Sequence, residues 1–107
     1  MPNPSSTLGI LALEGDIDLY QTPVVKGKLD ELILQKTERI LVDLSRVNYI
    51  DSSGLALFIE GLQRIGSYGG KLGIFGLQPS VAHIFEIARL DQVLHIYPDE
   101  ATARAAL

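Results

Sequence analysis

The run "RILVDLSRV", residues 39–47, restricts the fold more than any other stretch of this chain. Ile40, Leu41 and Val42 follow one another without the polar–apolar alternation of a half-exposed strand. A strand of that kind is covered on both faces, the situation of strands in parallel sheets. Helical spacing lies on either side of it: Val25, Leu29, Leu32 and Ile33 before, and Leu55, Phe58, Ile59, Leu62 and Ile65 after. Three further apolar runs read as strands: "LGILALEG", closed by Gly15, then "KLGIFGL" and the short "VLHIY". Two more segments read as helices. One is "PSVAHIFEIARL", with Val81, Ile84, Phe85 and Ala88 as its apolar stripe, and the other is "DEATARAAL". The start signals agree with this reading. Thr22 is expected as an N-cap with Pro23 at the first helical position, and Asp99 as the cap of the last helix. Strands alternating with helices predict an α/β layer structure with some parallel pairing, in a single domain over residues 1–107. "MPNPSS", residues 1–6, is polar and contains proline, and reads as a frayed start.

Composition removes whole classes of function. The chain carries 9 Lys+Arg against 13 Asp+Glu, a formal net charge of -4. It has no basic cluster, so nucleic-acid phosphates have nothing to bind. It contains no cysteine, which excludes disulfides, thiolate metal sites and cysteine nucleophiles. His83 and His95 are too few for a histidine-rich metal site and read as partly exposed surface residues. "GSYGGKL" lacks the Gly-Lys-Ser/Thr ending of a phosphate-binding loop and reads as a helix stop. No cofactor or metal is expected. The N-terminus lacks the basic and apolar regions of a signal peptide, and no apolar run approaches the roughly 20 residues of a membrane-spanning helix. The expectation is a soluble cytoplasmic protein without membrane insertion.

One turn stands out. "NYIDSSGLALFIEGL" ends a strand and begins a helix through Asp51, Ser52, Ser53 and Gly54. Local chemistry leaves two readings open. A serine here can cap the helix by accepting a backbone N–H. Alternatively the turn is a site, since open α/β sheets place their sites at the C-terminal ends of strands, next to the positive end of a helix. A serine in that position could be phosphorylated, adding about -1.5 to -2 charge beside Asp51. A nucleophilic serine fits less well: the stretch is not G-x-S-x-G, and no complete catalytic constellation accompanies it. Asp16 and Asp18 in "EGDIDLY" fall on the same side of an extended segment and read mainly as solvated carboxylates. Asp43 lies inside an apolar run, so it must sit at the strand's end or find partners; ordering the following turn is the favoured role.

At this point the chain resembles the anti-sigma factor antagonists, whose fold is called the STAS domain. "LEGDIDLYQTPVVKGKL" looks like that family's first long strand, glycine–acidic turn and first helix, and residues 38–103 resemble the rest of its core continuously. Asp-Ser-Ser-Gly-Leu after a "D-L-S-x-V" strand is the most specific element. The resemblance implies a STAS fold with a small mixed parallel/antiparallel sheet, covered on one face by helices. It implies a binding protein, not an enzyme, acting by partner switching. Such an antagonist holds an anti-sigma factor that is also a serine kinase of the histidine-kinase-like ATPase fold. That kinase phosphorylates it and releases it, and a serine phosphatase restores it. By motif, Ser52 is the phosphoacceptor, and Asp16, Asp18, Asp51, Ser53 and Gly54 form its surroundings and the partner-binding surface. Ser53 is assigned the helix cap, and Asp18 matches the family's acidic residue near the phosphosite. The family's additional edge strand has only residues 1–6 to form from, so a shortened or missing strand is expected, leaving an exposed edge or a homodimer contact. The alternative within the same fold is a non-catalytic subunit of a phospholipid-trafficking ABC transporter or of a stress-sensing complex.

Overall fold

Three helical crossovers link four strands, and that connectivity decides the sheet. The computed structural model describes residues 7–107; residues 1–6, the segment expected as a frayed start or shortened edge strand, lie outside the described residues. The order is β1 (Leu8–Ile17), α1 (Thr22–Leu34), β2 (Arg39–Ile50), α2 (Ser52–Gly66), β3 (Lys71–Phe75) and α3 (Pro79–Ile87). A short 3-10 turn (Leu90–Gln92), β4 (His95–Tyr97) and α4 (Glu100–Ala106) complete it. The strands lie in the order β1-β2-β3-β4, and each neighbouring pair is parallel. A helix between two strands returns the chain to the same end of the sheet, which makes the pair parallel. The antiparallel pairing expected from the resemblance is therefore absent among the described strands.

Stepping always in one direction with right-handed crossovers places α1, α2 and α3 on one face. The main core forms there, from Ile40, Val42 and Leu44 of β2 with Leu29 of α1, Phe58 and Ile65 of α2, and Val81 and Phe85 of α3. The Phe58 and Phe85 rings are 6.4 Å apart between centroids. A second difference from expectation lies on the opposite face. After β4 the chain has no further strand to reach, and α4 takes the uncovered side, packing Ala103 against Leu41 and Phe75 with Leu8, Tyr97 and Leu107 around them. Helices thus cover both faces. Leu41 faces α4 while Ile40 and Val42 face the main core, and all three are fully buried. That is why the run carries no alternation.

Other boundaries move for local reasons. β1 does not close at Gly15 but runs through it, with Gly15 at φ +78 and register shifts between Ala12 and Glu14 and between Gly15 and Asp16. Only glycine takes that backbone without strain. β2 likewise continues past Asp43: β3 pairs with residues 39–43, while β1 accompanies β2 to Ile50. Asp43 is half-buried and accepts the Ser45 N–H at 2.9 Å, so it orders a bulge inside a longer strand and not the turn expected after it. α3 stops at Ile87; Ala88 is exposed, and Arg89 turns the chain at φ +59. Asp99 caps α4 as expected, accepting the Thr102 N–H at 2.7 Å. His83 and His95 are both exposed. No described helix is long and apolar enough to cross a membrane.

Candidate functional site

The C-terminal ends of β1 and β2 lie side by side, and the first turns of α1 and α2 start from them. Asp51 is the N-cap of α2. Its carboxylate accepts the N–H of Ser53 at 2.9 Å and of Gly54 at 3.2 Å. The capping role expected of a serine, and of Ser53 in particular, therefore belongs to Asp51. A carboxylate brings a full negative charge to the positive end of the helix, which a hydroxyl does not. The Ser53 hydroxyl, and after it the Gly54 and Ser53 N–H groups, hold the Asp51 carboxyl below its ordinary range.

The two serines are in different situations. Ser52, the first residue of α2, is exposed, and its hydroxyl has no hydrogen-bond partner among the described residues. Ser53 is half-buried, donates its hydroxyl to Asp51 Oδ1 at 2.5 Å, and lies 2.9 Å from Thr22 Oγ1. The Thr22 hydroxyl is also 2.8 Å from the Asp18 carbonyl oxygen. Sequence reasoning missed Thr22 as a site residue and expected it to cap α1. In the structure Gln21 occupies the cap position without a side-chain bond, and Thr22 is the first helical residue. Its partner lies 31 residues away, so no local pattern could have pointed to it.

Asp18 builds the loop between β1 and α1. Its Oδ1 accepts the N–H groups of Tyr20 and Gln21, both at 3.0 Å, and its carbonyl accepts those of Gln21 and Thr22. The Asp51 N–H donates to the Ile17 carbonyl at 3.1 Å, joining the two turns. Asp16 is exposed at the bulge and pairs in register with Tyr49. Asp16 and Asp18 line one open cleft of 460 Å³ with Glu14, Gln21 and Lys28. No group of three metal-ligating side chains occurs among the described residues. Gly54 is buried and offers no contact surface. A Cβ there would lie 2.7 Å from Ile50 Cγ1 and 2.9 Å from Ile17 Cγ2, so glycine lets α2 start directly on the strand ends. Around the turn, Leu19 (68% exposed), Tyr20 (84%) and Val24 (54%) cover none of the core. They are apolar surface beside an acidic rim.

Fold and site together define a class: a small parallel α/β domain presenting one uncommitted serine at a helix N-terminus. Comparison with known proteins makes this specific. The family model of the STAS domain matches residues 3–103. The anti-sigma-B factor antagonist of Staphylococcus aureus is 32% identical over 82 residues, covering 77% of this chain and 76% of that protein. An anti-sigma factor antagonist from Mycobacterium paratuberculosis superposes with a TM-score of 0.86 at 20% identity, over 98% of this chain and 88% of that one. The Bacillus cell fate determinant SpoIIAA in its phosphorylated form gives 0.71 at 17% identity, over 99% and 96%. The chain belongs to the STAS domain family.

Proposed function

We propose that this protein is an anti-sigma factor antagonist that works by partner switching and is switched off by phosphorylation of Ser52. One observation carries the reading: of the two serines at the start of α2, Ser52 alone is exposed with a hydroxyl uncommitted among the described residues. The name of the staphylococcal relative supports the role. The partner is an anti-sigma factor with serine-kinase activity, of the histidine-kinase-like ATPase fold, and a serine phosphatase reverses the modification. The exposed Leu19, Tyr20 and Val24 form the apolar part of the docking surface, with Asp16, Asp18 and Asp51 at its rim. In this reading the domain binds and does not catalyse, and it acts in the cytoplasm.

The physical effect of the switch follows from charge. A phosphate at Ser52 places a near-dianion within a group of carboxylates, on a surface that must lose water to dock. Juxtaposed like charges in an interface cost several kcal/mol, enough to reverse the choice of partner. The positive end of the α2 dipole meanwhile offsets part of the phosphate's charge, so the fold survives modification. The test is to incubate the protein with its cognate anti-sigma factor kinase and ATP, then map the phosphate by mass spectrometry. Phosphate on Ser52, abolished in Ser52→Ala while binding is kept, and weaker binding of Ser52→Asp, are expected. A wild-type chain that takes no phosphate would end this reading in favour of the transporter or stress-complex subunit.

A further inference from the structure

We propose that the outer edge of β1 is a second binding site, which takes an extended, lysine- or arginine-bearing segment of a protein partner as an added strand. β1 is ten residues long and forms one side of the sheet. No strand pairs with its outer edge among the described residues. β4, on the other side, has three residues and offers too short a ladder. The backbone N–H and C=O groups along such an edge are a template for another strand. From Leu8 to Ala12 the register with β2 is unbroken, so the ladder is regular there, and the bulge at Gly15 ends it. The site goes beyond the antagonist reading and does not need it, since Ser52 lines neither cleft beside this edge.

Two clefts flank the edge and share Ala12, Leu13 and Glu14. The first, of 460 Å³, lies against α1 and has Val24 and Val25 in its wall. The second, of 430 Å³, lies on the opposite face of the sheet, bordered by Asp43, Ser45 and Arg46. Successive side chains of a strand alternate between faces, so a guest strand beside Ala12–Glu14 sends its residues in turn into the two clefts. Strand addition works in this way: the main chain supplies hydrogen bonds, and pockets for alternate side chains supply the choice of partner. Charge selects the guest. Glu14, Asp16, Asp18 and Asp43 line the clefts against Lys28 and Arg46, so carboxylates outnumber cations. An apolar residue suits the α1 side, against Leu13 and Val24, and a cationic residue suits Glu14 and Asp43 on the other. A second copy of β1 would bring its own Glu14 and Asp16 to the same clefts, and like charges opposed across a strand pair are unfavourable.

The experiment titrates the isotope-labelled full chain, followed by NMR, with two end-capped peptides of about eight residues, a common strand length. One alternates valine and lysine, the other valine and glutamate. The lysine peptide should shift the backbone amides of Leu8–Asp16, and the glutamate peptide should bind about tenfold more weakly or not at all, since like charges in an interface are rejected. Glu14→Lys/Asp16→Lys, at two exposed positions, should reverse that preference. Backbone pairing has its own control at constant charge. Alternate residues of a strand donate to opposite sides, so methylating the amide nitrogens of all the valines, or of all the lysines, blocks one edge of the peptide at a time. One methylated peptide should lose binding and the other keep it. Binding that survives both methylations, or does not distinguish lysine from glutamate, overturns the proposal. Slow hydrogen exchange at the outward-pointing amides of Leu8–Ala12 in the free chain overturns it as well. If that protection is independent of concentration, residues 1–6 are the occupant; if it grows with concentration, a second copy is.

Discussion

Replacing Gly54 with alanine tests how closely α2 must sit on the sheet. Two effects oppose each other. Alanine in a helix is favoured over glycine by about 1 kcal/mol. Against that, its Cβ would approach Ile50 Cγ1 to 2.7 Å, Ile17 Cγ2 to 2.9 Å and Ile50 Cδ1 to 3.0 Å. Both isoleucines are 1% exposed, and β-branched side chains are stiff at χ1, so neither can swing away cheaply. Overpacking of that kind costs typically about 1–3 kcal/mol. The steric term wins, and Gly54→Ala should lose up to about 2 kcal/mol in urea denaturation, the balance of those two terms. For a domain of this size each kcal/mol lost lowers Tm by about 4–8 °C. A second background sharpens the test. Ile50→Ala removes two of those three atoms, Cγ1 and Cδ1, at its own cost of about 2–5 kcal/mol and leaves Ile17 Cγ2 at 2.9 Å. In that background Gly54→Ala should cost less than in the wild type, because the helix preference remains and the closest contact is gone. If Gly54→Ala costs the same with and without Ile50, the steric explanation is wrong and the glycine serves the backbone instead.

Three other outcomes are expected. Phe58→Ala should cost about 3–5 kcal/mol by urea denaturation, since the ring is buried in the main core beside Phe85. Arg64→Ala should cost less than about 1 kcal/mol in the same assay, because its pairing with Asp30 bridges α1 and α2 at a partly exposed surface. The third concerns pH. The carboxyls of Asp51, Asp30 and Asp99 are all held below the ordinary 3.8 in the folded chain, by the Ser53 hydroxyl, the Arg64 guanidinium and the Thr102 N–H respectively. A lowered folded pKa gives stability that is complete above the unfolded value and lost as pH falls through the folded one. The urea midpoint should therefore fall as pH drops below 3.8, and Asp51→Asn should flatten part of that fall. An unchanged profile in Asp51→Asn would remove Asp51 from the account.

Most of the layer structure was legible because apolar spacing records burial directly. The unalternating run 40–42 required two covered faces, and the structure supplies them with α2 and its neighbours on one side and α4 on the other. Which face a helix after the last strand would take was not legible, since "DEATARAAL" has the same pattern on either side. Gly15 looked like a strand end because positive φ most often marks a turn, yet here it serves a bulge. At the site the residue types were right and two local roles were not. Asp51 caps α2 where a serine was expected, because the choice depends on which acceptor reaches the second and third N–H groups of the helix. Thr22 pairs with a serine 31 positions on, a contact that only the parallel alignment of β1 and β2 creates.

Asp16, Asp18, Thr22, Asp51, Ser52, Ser53 and Gly54 all fall within one strand–helix–strand–helix passage that ends with α2 at Gly66. Each strand here pairs with the one before it. The later third buttresses the sheet without contributing a side chain to the turn, so sequence drift there can adjust lifetime and abundance and leave recognition alone.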